Sequence, residues 1–266
     1  METDANSNFG SLLRHWREAR RYSQLDLALE ANVSSKHVSF LETGRNQPSR
    51  QMIIRLSNAM DVPLRDRNLM LSAAGFANAY AESPLDAPEV SQADDALNLI
   101  MEKHEPYPVI VVDGDWNVVK QNRGSARLAE LFLGSSQVES LNAFEVLFSE
   151  QGLQPFVENW ESLSSVLLMR LFRETLTAAE DSPKLDLYRR IAAMPATPRR
   201  WRTLASQLPS GPTINLTLVK DELRASFFTT VTTFGTPQDV TLQELRIESY
   251  FPTDETTRAL CASWLD

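Results

Sequence analysis

One short stretch gathers amide, hydroxyl, cationic and aromatic side chains at close spacing: Gln24, Ser34, Ser35, Lys36, His37, Ser39, Phe40, Arg45 and Asn46. Amides, hydroxyls and cations grip phosphate oxygens, and amides, hydroxyls and apolar groups read base edges. They can do so only if a helix presents them on one side. The surrounding sequence, SQLDLALEANVSSKHVSFLETGRNQP at positions 23 to 48, predicts two helices. Ser23 can cap a helix from Gln24 to about Ala31, with Leu25, Ala28 and Leu29 on one core-facing side. Asn32 falls at the turn, where a positive φ is expected and Asn is well tolerated. Ser34 then caps a second helix, Ser35 to Thr43, whose Val38 and Leu41 are three apart while Lys36, His37 and Ser39 point elsewhere; Gly44 ends it. Two short helices joined by a tight turn form the arrangement that lays one helix in the DNA major groove.

The pattern Ser23-Gln24, Leu27-Ala28, Asn32-Val33-Ser34, Val38, Leu41-Glu42-Thr43-Gly44-Arg45 and Pro48 resembles the Cro/C1-type helix-turn-helix, or XRE family, over roughly residues 9 to 75. The resemblance implies that Gln24 holds a phosphate and that Ser35, Lys36, Ser39 and Phe40 approach base edges or sugar, with Ser34 and His37 in the same interface. It also implies that Arg45 and Asn46 follow the backbone. Two positions depart from the family: Asn32 where many members have Gly, and Phe40 where a polar reader often sits. Phe40 can touch a thymine methyl or can belong to the core. Around the motif, Leu12, Leu13, Trp16 and Ala19 mark a first helix, Ile53, Ile54, Leu56 and Met60 a fourth, and Leu64, Leu69, Met70 and Ala73 a fifth. Pro48-Ser49 and Pro63 open the last two, and Gly75 closes an all-α five-helix bundle.

Charge agrees once the chain is divided. The whole chain carries −9, which argues against general affinity for polyanions. Residues 9 to 55 hold eight basic and four acidic residues, a net of +4, whereas residues 81 to 266 hold 16 basic and 27 acidic, a net of −11. The N-terminal part can meet phosphate and the remainder repels it, so non-specific binding is suppressed. The length suggests two domains. The single cysteine, Cys261, excludes an internal disulfide framework, and no apolar run of about 18 residues or secretory signal is seen. A cytoplasmic protein without membrane contact is expected.

The expected division is 1–80 for DNA binding, 81–104 for a linker and bridging helix (Val90 to His104), and 105–266 for a second domain. There the period changes. Pro108 to Asp113 is expected as a strand, Asp113-Gly114-Asp115 as a turn and Trp116 to Gln121 as the hairpin partner. Helical spacing dominates to about Ala179, including a broad apolar stripe on Pro155 to Glu180. Three strands return: one where Ile214, Leu216 and Leu218 alternate with Thr213, Asn215 and Thr217, then Leu223 to Phe234 and Leu242 to Phe251. The fold class is therefore α+β with two domains, the second a five-stranded antiparallel sheet with helices on one side. Thr236 to Val240 reads as a structural turn, and Glu244, Arg246 and Glu248 as charges alternating on a wet or interface-facing strand.

Two ordered blocks carry a second resemblance. They are Pro106-Tyr107-Pro108 with Val112-Asp113 and Trp116-Asn117-Val118-Val119 before Asn122, and Phe234 to Leu242 with Glu244 to Glu248 and Phe251-Pro252. They resemble the ligand-binding domain of MmyB-like transcription regulators, which has a PAS-like fold. The resemblance implies a one-component regulator sensing a small apolar molecule, such as a fatty acid. Phe132, Phe144, Phe148, Phe156, Trp160, Leu168, Met169 and Phe172 supply apolar surface for such a pocket, and Arg170 or Arg173 can meet a carboxylate bidentately. The same aromatic residues also suit an ordinary core, and the arginines a solvated surface. The basic segment Arg189 to Arg202 suits a solvated loop, a second DNA-backbone contact or a subunit interface.

Enzymatic chemistry finds little support. His15 and His37 lie in the DNA-binding segment, leaving His104 alone beyond it. No Cys-x-x-Cys pair, His-Glu-x-x-His helix, phosphate loop or dinucleotide fingerprint is present, so no metal and no cofactor is expected. The sequence thus predicts a homodimeric regulator of a double-stranded DNA operator. The rivals are a protein-interaction or dimerisation module without a small-molecule ligand, and an enzyme carrying a DNA-binding appendage.

Overall fold

A computed structural model describes residues 3–134, 142–176, 182–207 and 215–264. The chain divides into two compact units, Met1–Pro84 with Gly235–Gln243, and Leu85–Phe234 with Glu244–Asp266. Residues 235–243, which the sequence reading places in the second domain, pack in the N-terminal unit.

Among the described residues, residues 3–84 form five helices: α1 Thr3–Ala19, α2 Gln24–Glu30, α3 Ser35–Glu42, α4 Arg50–Ala59 and α5 Leu64–Ala73. Their starts are local chemistry. Ser23 and Asp26 form a reciprocal capping box, while Ser34 and Ser49 accept from His37 N and Met52 N. Asn32 and Gly44 end α2 and α3 with φ of 51° and 71°. Phe9, Leu13, Trp16, Leu27, Val38, Leu41, Ile53, Leu56 and Met70 build the core. Gly10 lets α1 approach α3 backbone to backbone, since a Cβ there would lie 2.6 Å from Glu42 O. One expectation fails: Leu25 and Leu29 are 58% and 71% exposed. Leu27, Ala28 and Ala31 set the inward face, and at 3.6 residues per turn Leu25 and Leu29 lie about 110–150° away from it.

The second unit contains α6 Ser91–His104, β1 Val109–Val112, β2 Val118–Gln121, α7 Arg123–Leu133, α8 Ala143–Phe148, α9 Trp160–Thr175, α10 Pro183–Ala193 and α11 Trp201–Gln207. Next come β3 Asn215–Lys220, β4 Leu223–Thr232, β5 Arg246–Pro252 and α13 Glu255–Ala262; the short helix α12 Val240–Glu244, between β4 and β5 in the chain, belongs to the first unit up to Gln243. The described strands form one antiparallel sheet in the order β2-β1-β5-β4-β3, which puts the last strand of the chain at the centre. Buried Asn122 fixes the hairpin to α7. Its Oδ1 accepts from Val109 N and Ser125 N, and its Nδ2 donates to Tyr107 O.

Three boundaries differ from expectation. The long helix starts at Trp160, because residues 154–156 turn as a 3₁₀ segment; its expected end, 177–181, lies outside the described residues, as do Thr213 and Ile214. The partner strand of the hairpin starts at Val118, because Trp116 turns with φ 68°. The final strand starts at Arg246, because Asp239 Oδ1 accepts from Thr241 N and Leu242 N and turns the preceding residues into α12. Glu244 is therefore helical and does not alternate with Arg246 and Glu248.

Candidate functional site

On α3, Val38 and Leu41 face inward and leave Ser35 and Lys36 exposed, with Ser34 exposed at the cap and Arg45 and Asn46 exposed beyond the helix. His37, Ser39 and Phe40 are half-buried. Phe40 lies outside the N-terminal core cluster: Lys36 Nζ and Arg45 Cζ stand 5.4 and 5.7 Å from its ring centroid, so the ring holds two cations on the outer side of α3. Gln24 is half-buried, and its Nε2 donates to Glu42 Oε2 at 2.9 Å. Glu42 also pairs with Arg17, whose Nε and Nη2 lie 2.5 and 3.1 Å from the two carboxylate oxygens. Arg17 further donates to Tyr22 O, and Arg20 to Met60 O and Asp61 O. These two arginines are spent inside the fold. The outward cations nearest the reading helix are Lys36 and Arg45.

The second unit contains a cavity of about 730 Å³ that is partly open to solvent. Residues spaced as one helical face, Leu163, Val166, Leu167 and Arg170 of α9, line it on one side, together with Phe144 of α8 and Leu128 of α7. The sheet supplies Ile110, Leu216, Thr229, Glu248 and Tyr250. Register explains the set: Ile110 pairs with Glu248 and Thr229 with Tyr250. Of the ten expected pocket residues, Phe144 and Arg170 line this cavity. Met169 and Arg173 line a smaller recess of about 420 Å³, which Arg170 also borders. Phe148, Trp160, Leu168 and Phe172 pack with Trp116 and Trp201, while Phe132 and Phe156 pack in the cluster around Phe227 and Cys261.

Apart from Arg170, the polar groups at this cavity were not anticipated. Trp116, 2% exposed, is flanked by two guanidiniums, with Arg170 Cζ 4.3 Å and Arg246 Cζ 4.7 Å from its ring centroid. Its Nε1 donates to Glu174 Oε2 at 3.1 Å. The same oxygen is 3.2 Å from Arg246 Nη1, and Glu174 Oε1 is 3.7 Å from Arg170 Nε. Glu248 accepts from Tyr250 Oη at 3.3 Å. Burial raises the pKa of the Glu248 carboxyl, against the opposing pull of Arg170 and Arg246. Burial, followed by the Glu248 charge, pushes the Tyr250 phenol well up, and burial lowers Arg170 despite the nearby carboxyls. Among the described residues no cluster of three or more metal-ligating side chains occurs. Among them, too, no helix is long and apolar enough to cross a membrane.

A polar outer face on the second helix of a helix-turn-helix, carried on the same chain as a unit with an apolar cavity, defines a DNA-binding transcription regulator with a ligand-binding domain. The family described as Helix-turn-helix matches residues 13–66, and the MmyB-like transcription regulator ligand binding domain matches residues 93–263. The second match covers more than half of the chain, and the protein belongs to that family. No curated protein matches it.

Proposed function

We propose that the protein is a homodimeric one-component regulator in the cytoplasm: residues 1–80 bind a double-stranded operator, 81–104 link and bridge, and 105–266 take a small apolar, fatty-acid-like molecule. The observation that carries this reading is the pairing, in one chain, of an outward Ser35–Lys36–Phe40–Arg45 surface with an apolar cavity that Arg170 borders. Two α3 helices of a dimer enter successive major grooves roughly 34 Å apart, and ligand acts by binding one dimer geometry better than another. Ser35, Lys36 and Ser39 meet base edges or sugar, Phe40 meets a thymine methyl, and Ser34, His37, Arg45 and Asn46 meet the phosphate backbone. Gln24, oriented by Glu42, offers its remaining amide proton to a phosphate.

The test is binding to a panel of duplexes at fixed salt. Lys36→Ala reorders the operators, whereas Gln24→Ala weakens all of them alike. An unchanged ranking in Lys36→Ala removes α3 from the role of reader. Native mass spectrometry of the purified full chain tests the other half: a co-purifying apolar acid is expected, and a protein that neither retains nor binds such molecules overturns the sensor reading.

A further inference from the structure

The sequence pattern assigns Glu248 to an exposed strand, yet the residue is 8% exposed and lines the cavity that Arg170 borders. Glu248 and Tyr250, two apart on the central strand β5, project to the same face. Tyr250 Oη donates to Glu248 Oε2 at 3.3 Å. The charged and titratable groups around it come from two elements: Arg170 of α9, and Arg246 and Tyr250 of β5, with Glu174 of α9 held between Trp116 Nε1 and Arg246. Its paired neighbours, Ile110 on β1 and Val231 on β4, are uncharged, as is Thr229 in the cavity wall. Lys120 of β2 borders the same cavity, but its Nζ is held at 2.6 Å by Asp94 and at 2.9 Å by Asn98. Two guanidiniums, Arg170 and Arg246, and two carboxyls, Glu174 and Glu248, thus stand at and behind this part of the cavity wall before any ligand arrives.

A ligand carboxylate entering here adds a third acidic group beside the buried Glu248, in a largely apolar, partly open cavity. Two carboxyls placed close together in such a site cannot both stay ionised, and the inexpensive solution is one proton shared between them. Resting on the reading of this cavity as the ligand site, we infer that Glu248 takes the head of an acidic apolar ligand as a proton-sharing carboxyl pair beside Arg170, so that the acid enters with one proton. The proton is held between the two carboxyls, taken up from solvent where free Glu248 is ionised and already on Glu248 where it is not, and no covalent bond changes. Glu248 is then the residue that decides how the cavity distinguishes an acid from an alcohol of the same chain.

The experiment uses the delipidated full chain, with decanoate and 1-decanol as probes, titrated by calorimetry between pH 7 and 9. Decanoate is ionised throughout, so uptake of one proton weakens its Kd by up to about tenfold per pH unit in the range where free Glu248 is ionised. For 1-decanol the Kd is flat. In Glu248→Gln, decanoate binding becomes flat within about twofold, while retained 1-decanol binding shows that the cavity is folded. A decanoate Kd that is pH-independent in the unaltered protein and no weaker in Glu248→Leu, with 1-decanol still bound, overturns the inference. So does the same slope in Glu248→Gln. If 1-decanol binds and decanoate does not, the apolar cavity stands and the shared proton falls; if neither binds, the ligand site itself falls and the inference with it.

Discussion

Glu42→Ala tests how the reading helix is held. Glu42 lies in the last turn of α3, where the helix dipole disfavours an anion, and its side chain is 4% exposed against 10% for Arg17. Removing one partner of a buried ion pair costs about 3–5 kcal/mol, because the other charge is left without compensation. Arg17 keeps Tyr22 O at 2.8 Å and a 3.5 Å contact to the half-exposed Glu18, which places the cost near the lower end, at about 3 kcal/mol. For a domain of this size each kcal/mol moves the midpoint by about 4–8 °C, so the N-terminal unit should melt about 12–24 °C lower. Amide exchange by mass spectrometry over residues 9–43 separates this unit from the rest of the chain. Replacing both partners by methionine should return stability to within about 1 kcal/mol of the original, since the buried charges disappear together. A loss below about 1 kcal/mol in Glu42→Ala, or a double variant no more stable than the single one, would refute the claim that a desolvated pair anchors α3.

Three further outcomes follow from single contacts. Gly10→Ala places a Cβ 2.6 Å from Glu42 O and 2.8 Å from Leu41 O, both backbone atoms, so α3 must move. A cost of about 1–3 kcal/mol and weaker duplex binding are expected, read by amide exchange and fluorescence anisotropy. Gln243→Ala removes the Oε1 that accepts from Leu64 N at 2.6 Å, at a helix start whose cap is Pro63 and offers no side-chain bond. Exchange at residues 64–67 should accelerate by about 1 kcal/mol of lost protection, and unchanged rates there would count against the cap. Burial pushes the Cys261 thiol up to about 12. At pH 8 about one molecule in ten thousand then carries the thiolate, so iodoacetamide should label Cys261 in denaturant and spare it in the native protein.

Much of the first unit was legible because its signals are local. Ser23, Ser34 and Ser49 name their own helix starts, and Asn32 and Gly44 tolerate the positive φ at which α2 and α3 end. The face of α2 was not legible. Leu25-Ala28-Leu29 and Leu27-Ala28-Ala31 both satisfy helical spacing, and only the packing of α1 and α3 selects the second. The alternation from Leu242 to Phe251 likewise fits a strand throughout, until Asp239 claims two backbone amides and starts a helix. Asp239 Oδ2 also accepts from Ser83 N, and Val240 N donates to Ala81 O. These bonds over a sequence separation of more than 150 residues put 235–243 in the N-terminal unit. No local pattern encodes them.

The cavity shows the same limit at the level of topology. Arg246 and Glu248 alternate with Ile247 and Ser249, and on an edge strand such alternation gives surface ion pairs worth little. The strand order instead sets β5 between β1 and β4, and Arg170 of α9 borders the cavity that Glu248 lines. The same carboxyl is then buried beside Arg170 and Tyr250, where desolvation makes each charge consequential. The inverse happened to Arg17 and Arg20. Counted in sequence as part of a basic surface, they are consumed by Glu42 and by carbonyls at the end of α4, so charge totals overstate what that face offers to phosphate. In both units it is the partner supplied by a distant element that decides whether a charged residue holds the fold together or is left to meet a ligand.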